Sequence, residues 1–156
     1  MTLATDPTSL WFLNTLVKIR VPNTGGRDGI TIMEHRAPMG DSPPLHVHRN
    51  QDEGFVVLDG EIRVNLDGRE IVARKESILL APKGIPHSYK VISPAGARFL
   101  TITRGPDFEG LVRFLGRPAE RDELPAPSGP PSPEQAAKLA ETCAKFGIDL
   151  VGPPLT

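Results

Sequence analysis

The sequence predicts an all-β fold, a β-sandwich or β-barrel of jelly-roll type with short C-terminal helices. Three observations support this class. Short apolar segments recur between residues 10 and 104 and are separated by Gly and Pro. Asp59-Gly60 and Asp67-Gly68 lie between alternating runs, which is typical of tight β-hairpins. No helical periodicity precedes residue 105.

The first segment, residues 10–21, is strongly apolar, turns to period-two alternation and ends at Pro22, so we predict one N-terminal strand. A strand this apolar ahead of the main sheet could pair with its own barrel or with that of a second subunit, and we expect a homodimer on that ground. We predict further strands over residues 29–37, 53–58, 61–66, 69–73, 77–81, 87–92 and 97–103. The strands on either side of the two Asp-Gly turns form an antiparallel meander.

The chain changes character after the last of these strands, and we expect the β core to end near Arg104. Residues 107–115 have helical apolar spacing, and residues 117–133 contain six prolines and no periodicity. Ser132-Pro133-Glu134-Gln135 is a capping-box start for a helix that Gly147 ends. We therefore predict a barrel domain over residues 1–116, and a Pro-rich arm with a C-terminal helix packed on it over residues 117–156.

Composition excludes several classes of partner. The chain has 156 residues, 38% of them apolar, and a formal net charge of -1, which suits one globular domain. No Lys/Arg block marks a nucleic-acid or membrane surface, so neither partner is expected.

The N-terminus lacks a signal-peptide pattern and Cys143 is the single cysteine, which leads us to expect a cytoplasmic protein. We expect Cys143 to be a buried apolar side chain.

Four residues predict a mononuclear metal site. His46 and His48 are two apart, so a strand would point both to one face. Glu53 begins the next strand and can reach the same point, and His87 can come from an opposite strand of a two-sheet barrel. Imidazoles and carboxylates are ligands for borderline divalent metals.

The same stretch resembles the first motif of the cupin family, which runs Gly-x5-His-x-His-x3,4-Glu-x6-Gly. Gly40, His46, His48, Glu53 and Gly60 match it in type and spacing. The resemblance implies the cupin jelly-roll barrel.

The second cupin motif matches only in part. Pro82, Gly84 and His87 lie at its intervals, whereas Glu76 and Val91 stand where the family has Gly and Asn. Neither departure is at a ligand position, although the loss of the glycine affects the expected turn at residue 76.

Within cupins the chain is similar to the single-domain quercetin-dioxygenase-like group. The similar segments are residues 9–12, residues 43–48 with Asp52-Glu53, and the tail from Gly147 to Pro154. The resemblance implies one divalent transition metal per chain (Fe, Ni, Mn, Co, Cu or Zn) on three histidines and a glutamate. It also implies oxygenation of a small aromatic, flavonol-like or enolisable substrate, with Glu53 as a metal ligand or as the catalytic base.

Other side chains are expected around this site. Tyr89 should point into the same interior as His87, and its hydroxyl could contact substrate or it could be a core aromatic. His35 should share a face with Met33 and Ala37 and serve a structural role. A substrate pocket or plain core packing would both account for the apolar residues Phe55, Val57, Ile62 and Val64.

Three functions fit these residues. The first is the metal-dependent oxygenase. The second is a non-redox isomerase, cyclase or decarboxylase in which the metal is a Lewis acid. The third is a non-catalytic cupin that binds a small molecule or a metal, because a fold does not determine its function.

Overall fold

The computed structural model describes residues 8–156. Those residues form twelve strands and two α-helices. The strands are β1 (Thr8–Phe12), β2 (Thr15–Val21), β3 (Ile30–Ala37), β4 (Leu45–His48), β5 (Glu53–Asp59), β6 (Ile62–Leu66), β7 (Arg69–Ala73), β8 (Ile78–Ala81), β9 (His87–Val91), β10 (Ala97–Arg104), β11 (Arg117–Pro118) and β12 (Ile148–Gly152). The helices are α1 (Asp107–Leu115) and α2 (Pro133–Lys145).

The strands form two antiparallel sheets. One has seven strands in the order β11-β1-β2-β3-β10-β5-β8, and the other has five in the order β12-β4-β9-β6-β7. The predicted all-β class is thus confirmed. The first seven residues of the predicted barrel domain lie outside the described part of the chain.

The prediction of a single strand over residues 10–21 was wrong. The segment is a hairpin in which Leu10 of β1 pairs with Val17 of β2. The turn contains Leu13 at φ 54°, a left-handed conformation that glycine or asparagine adopts more readily than leucine. The apolar run crosses this turn without Gly or Pro, and Asn14 is the turn-favouring residue that marks it.

The expectation that the β core ends near Arg104 was also wrong. The C-terminal strand β12 pairs with β4, with Ile148 opposite His48 and Leu150 opposite His46. The two-residue strand β11 pairs with β1. Both are short segments whose pairing depends on partners about 100 residues away, so local periodicity could not reveal them.

The core lies between the sheets and beneath the helices. Side chains of both sheets form one cluster that includes Phe55, Ile62 and Phe99. A second cluster, around Leu111, Cys143 and Ile148, is built from α1, α2 and β12. Cys143 is buried, as predicted, and burial raises the pKa of its thiol to about 11.

The predicted capping box of α2 is present. Gln135 N–H donates to the Ser132 hydroxyl oxygen at 3.2 Å, and Ser132 N–H donates to the Gln135 side chain at 2.8 Å. Neither helix is long and apolar enough to span a bilayer, a finding that covers residues 8–156.

Candidate metal centre

Two neighbouring strands of the five-stranded sheet supply the histidines. β4 points His46 and His48 to the same side because they are two residues apart. β9 lies antiparallel to β4 and places His87 directly opposite His46. The ring centroids of His46 and His87 are 4.5 Å apart, and those of His48 and His87 are 5.3 Å apart.

Glu53 comes from the other sheet, at the first position of β5, and reaches the histidines across the barrel interior. Its Oε2 atom lies 2.9 Å from His87 Nε2 and 3.2 Å from His48 Nε2. Each of the four side chains offers a ligand atom, and these atoms all lie within 4.8 Å of one another. The structure thus brings together the four residues proposed from the sequence as ligands.

Backbone carbonyls orient two of the imidazoles. His46 Nδ1 donates to the Pro44 carbonyl at 2.8 Å, and His87 Nδ1 donates to the Ile85 carbonyl at 3.0 Å. In a neutral imidazole with a protonated Nδ1, the lone pair is on Nε2, the atom that faces the cluster. His48 differs, because its buried Nδ1 has no hydrogen-bond partner among residues 8–156.

Burial and the carboxylate set the charge of the cluster. Burial lowers the pKa of His46 to about 4, so its imidazole is neutral at pH 7. Burial opposes charge on His87 as well, but the hydrogen bond and the charge of Glu53 raise the pKa of His87 overall. Burial disfavours the Glu53 carboxylate, yet His48 and His87 lower the pKa of Glu53 well below its ordinary value.

The donor set suits a divalent transition metal. Ligand bonds of about 2.1 Å hold neighbouring ligand atoms about 3 Å apart, which resembles the spacing of Glu53 Oε2 from its two histidines. A carboxylate and imidazole lone pairs that converge on one buried point need a cation or a proton between them. Metal binding at such a site releases the proton that it replaces.

The predicted pocket residues lie in the same barrel interior as the cluster, and Phe55 adjoins it. Phe55, Val57, Ile62 and Val64 are each at most 3% exposed and belong to one apolar cluster, which Tyr89 contacts. The Phe55 ring meets the His87 ring edge-on at 6.2 Å. A role for these side chains in holding substrate stays a prediction.

Tyr89 is partly buried and carries the one polar group among those predicted pocket residues. Its hydroxyl donates to Asp41 Oδ2 at 3.2 Å. Burial, together with the Asp41 carboxylate, raises the pKa of Tyr89 well above its ordinary value, so the phenol keeps its proton.

His35 lies outside the cluster, as predicted. It is buried on the same face as Met33 and Ala37, and its Nε2 lies 2.8 Å from the Thr101 hydroxyl. The ring is stacked on Phe99 at 5.1 Å and on Phe108 at 5.9 Å. Burial lowers the pKa of His35 to about 4.

Sequence reasoning missed Gln51, which lies in the loop between His48 and Glu53. Gln51 is 2% exposed. Its amide nitrogen donates to the carbonyls of Arg104 at 3.0 Å and Gly105 at 2.9 Å, and its amide oxygen accepts from Phe108 N–H at 3.0 Å. A polar residue in a polar loop carries no signal of burial, because its partners are some 50 residues away.

The neighbours of Gln51 attach the same loop to the C-terminal elements. Asn50 donates to the Asp107 carboxylate at 2.9 Å, and Arg49 donates to the Ala144 carbonyl at 2.7 Å and pairs with Asp149. The segment between two candidate ligands is therefore held by α1, by the end of α2 and by β12.

Comparison with known proteins agrees with this architecture. Residues 33–103 match the cupin domain family, and this range contains all four clustered residues. The quercetin 2,3-dioxygenase of Bacillus subtilis (strain 168) is 35% identical over 86 residues, which are 55% of this chain and 25% of that protein. The chain thus matches about a quarter of the length of this relative.

Solved structures share the fold at low sequence identity. A predicted oxalate decarboxylase from Thermotoga maritima has a TM-score of 0.60 at 17% identity over 67% of this chain and 98% of that chain. The cupin domain of Cnp3 from Schizosaccharomyces pombe has a TM-score of 0.55 at 17% identity over 74% of this chain and 80% of that chain. Residues 33–103 are thus similar to cupin domains, and the barrel that contains them has the fold of solved cupin structures.

Proposed function

We propose that this protein is a metal-dependent oxygenase that acts on a small aromatic, flavonol-like or enolisable substrate. The observation that carries the proposal is the set of four ligand atoms within 4.8 Å of one another inside the barrel. The 35% identity to a quercetin 2,3-dioxygenase over 86 residues supports the choice of reaction.

One divalent ion per chain would be held by His46, His48, His87 and Glu53, the histidines through Nε2. When bound, such an ion supplies Lewis acidity and, if it is redox-active, one-electron chemistry. Four protein ligands leave one or two positions of a five- or six-coordinate ion open, which is the property that separates a catalytic site from a closed structural one.

Glu53 has a second role in the proposal. As a carboxylate, Glu53 can accept the hydroxyl proton of an enol that lies beside it. The enol then becomes an enolate and Glu53 becomes a carboxylic acid, which can return the proton to the product.

The surrounding side chains would bind and shield the substrate. Phe55 and the apolar residues beside it provide a wall that excludes water, which strengthens the electrostatic interactions in the site. Tyr89 is protonated and fixed by Asp41, so it can orient a polar group of the substrate. Both assignments follow from position in the same barrel interior as the cluster.

Oxygen uptake tests the proposal. Protein loaded separately with Fe, Ni, Mn, Co or Cu is supplied with flavonols and simpler enols, and we expect oxygen consumption in proportion to substrate loss for at least one metal. Glu53→Gln should lower the rate by about 100-fold or more if the carboxylate is the base. Equal turnover without oxygen would refute the oxygenase and favour the isomerase, cyclase or decarboxylase function.

A non-catalytic role gives a third result. If no substrate in the panel is consumed while a small enol binds tightly to the metal-loaded protein, the chain is a binding protein. Calorimetric titration of each candidate against metal-loaded protein and against the His87→Ala variant separates binding at the metal from binding elsewhere.

A further inference from the structure

The loop that precedes β4 brings a fifth polar group, the Asp41 carboxylate, to the barrel interior. Tyr89 lies two residues after His87 on β9, so both side chains point to the same side of that strand. The Tyr89 ring meets Phe99 of the other sheet edge-on at 5.1 Å, and its hydroxyl donates to Asp41 Oδ2 at 3.2 Å. Asp41 therefore lies at the end of a side chain that points into the interior.

The backbone of this loop is fixed by β9. Gly40 N–H donates to the Val91 carbonyl at 2.9 Å, and Val91 N–H donates to the Asp41 carbonyl at 2.9 Å. Gly40 has φ 84°, a left-handed conformation that favours glycine, and it turns the chain into this pairing. The strand that carries His87 and Tyr89 thus also sets the position of Asp41.

The Asp41 carboxylate has fewer partners than the buried carboxylates outside the cluster. Glu34 and Glu109 pair with arginines at 3.1 Å and 2.9 Å. Within residues 8–156 Asp41 forms no ion pair, and its side chain accepts one hydrogen bond, from a neutral phenol. Burial raises the pKa of Asp41, although the bond from Tyr89 lowers it. A carboxylate has lone pairs for about four donors, so Asp41 can accept a further hydrogen bond.

The separation of this carboxylate from the candidate metal centre limits what can join the two. Residues two apart on a strand are separated by about 7 Å, and their side chains stand roughly perpendicular to the sheet, so the Tyr89 hydroxyl lies about that far from the His87 imidazole. An aromatic ring with an oxygen-bearing group on each side covers such a distance. Asp41 and Tyr89 are both partly exposed, so a ligand can reach them.

We propose that Asp41 is a specificity-determining residue, which accepts a hydrogen bond from a phenolic hydroxyl at the end of the substrate remote from the candidate metal centre. The substrate class is then an aromatic enol with one ring and a para hydroxyl group. This inference rests on the proposed function, because it takes the enol oxygen to lie at the four clustered residues. Tyr89 is a positioning residue in it, since the bond that Tyr89 donates holds the Asp41 carboxylate toward the interior.

A purely structural role for Asp41 predicts a different result. If Asp41 only ties its loop to Tyr89, then replacing it lowers the melting temperature and changes the affinity for every ligand by the same factor. A specificity role changes the ratio of the affinities for ligands with and without the hydroxyl group. That ratio is therefore the quantity to measure.

Calorimetric titration of the nickel-loaded full-length protein gives the ratio, with phenylpyruvate and 4-hydroxyphenylpyruvate, which both enolise, as the probes. The titrations are made under nitrogen, which prevents oxygenation of either probe. The wild type should bind the hydroxylated probe about tenfold or more tightly, because the other probe leaves the carboxylate without its second donor. In Asp41→Asn and in Asp41→Ala, with metal content unchanged, this preference should fall below about threefold.

Asp67→Asn is the matched control, because Asp67 is an exposed carboxylate in the turn between β6 and β7. This variant should keep the preference of the wild type. Equal affinity of the wild type for the two probes, or no binding of 4-hydroxyphenylpyruvate, overturns the proposal. So does a preference that persists in both Asp41 variants or that is equally lost in Asp67→Asn. A hydroxyl preference without oxygen uptake in air would refute the oxygenase and leave the role of Asp41 standing.

Discussion

Replacing Gln51 with alanine removes three hydrogen bonds from the loop between His48 and Glu53. The lost bonds are those to the carbonyls of Arg104 and Gly105 and from the N–H of Phe108. At about 1 kcal/mol for each bond, the free energy of unfolding should fall by about 3 kcal/mol. For a domain of this size the melting temperature should then fall by about 6–12 °C.

The same change should weaken metal binding, because Gln51 holds the segment that joins two of the proposed ligands. Loss of a residue that holds metal ligands in place typically lowers metal affinity about tenfold or more. We expect the dissociation constant for the metal to rise by that factor. Differential scanning calorimetry of the metal-free protein and competition with a chelating dye give the two quantities. The dye titration is made well below the melting temperature, so that both proteins are folded.

Two further variants sharpen this test. Gln51→Glu keeps the shape but turns two donated bonds into contacts between a carboxylate and carbonyl oxygens, so it should destabilise at least as much as alanine. Asn50→Ala is the matched control, because this neighbouring amide makes one exposed bond to Asp107. For Asn50→Ala we expect the free energy of unfolding to fall by less than about 1 kcal/mol and the metal affinity to stay unchanged. A Gln51→Ala protein that melts within 2 °C of the wild type would refute the reasoning.

Three other predictions concern the histidines and Tyr89. His46→Ala and His87→Ala should each lose bound metal by elemental analysis while keeping a β-type circular dichroism spectrum, and full metal content in both would refute the ligand assignment. The pKa of His35 is about 4 when folded and 6.5 when unfolded, so the unfolded state binds the extra proton and stability should fall by about 3 kcal/mol as the pH drops from 6.5 to 4. Denaturant titrations should show a shallower pH dependence in His35→Phe, and an unchanged slope would contradict this origin. Tyr89→Phe should raise KM about tenfold with little change in metal content if the hydroxyl orients substrate, whereas unchanged kinetics would assign Tyr89 to the core.

The four clustered residues could be predicted from the sequence because metal ligands have characteristic side-chain types and spacings. His46 and His48 lie on one strand and Glu53 follows five residues later, so alternation and a short loop bring three of the four together. His87 was expected on an opposite strand of a two-sheet barrel, and that placement was wrong. Its strand β9 lies beside β4 in the same sheet, and Glu53 is the residue that reaches across from the other sheet. The periodicity and the Asp-Gly turns likewise predicted the central strands.

Other features depend on contacts that the chain makes only when it is folded. Leu13 turns the N-terminal hairpin without a glycine, and β12 becomes a strand because β4 offers it a free edge. Gln51 is a buried support only because Arg104 and Gly105 present their carbonyls to it. The sequence by itself therefore determined which side chains form the proposed site, since their types and spacing are local. Only the tertiary structure decided what holds that site in place, since this depends on pairings between distant segments.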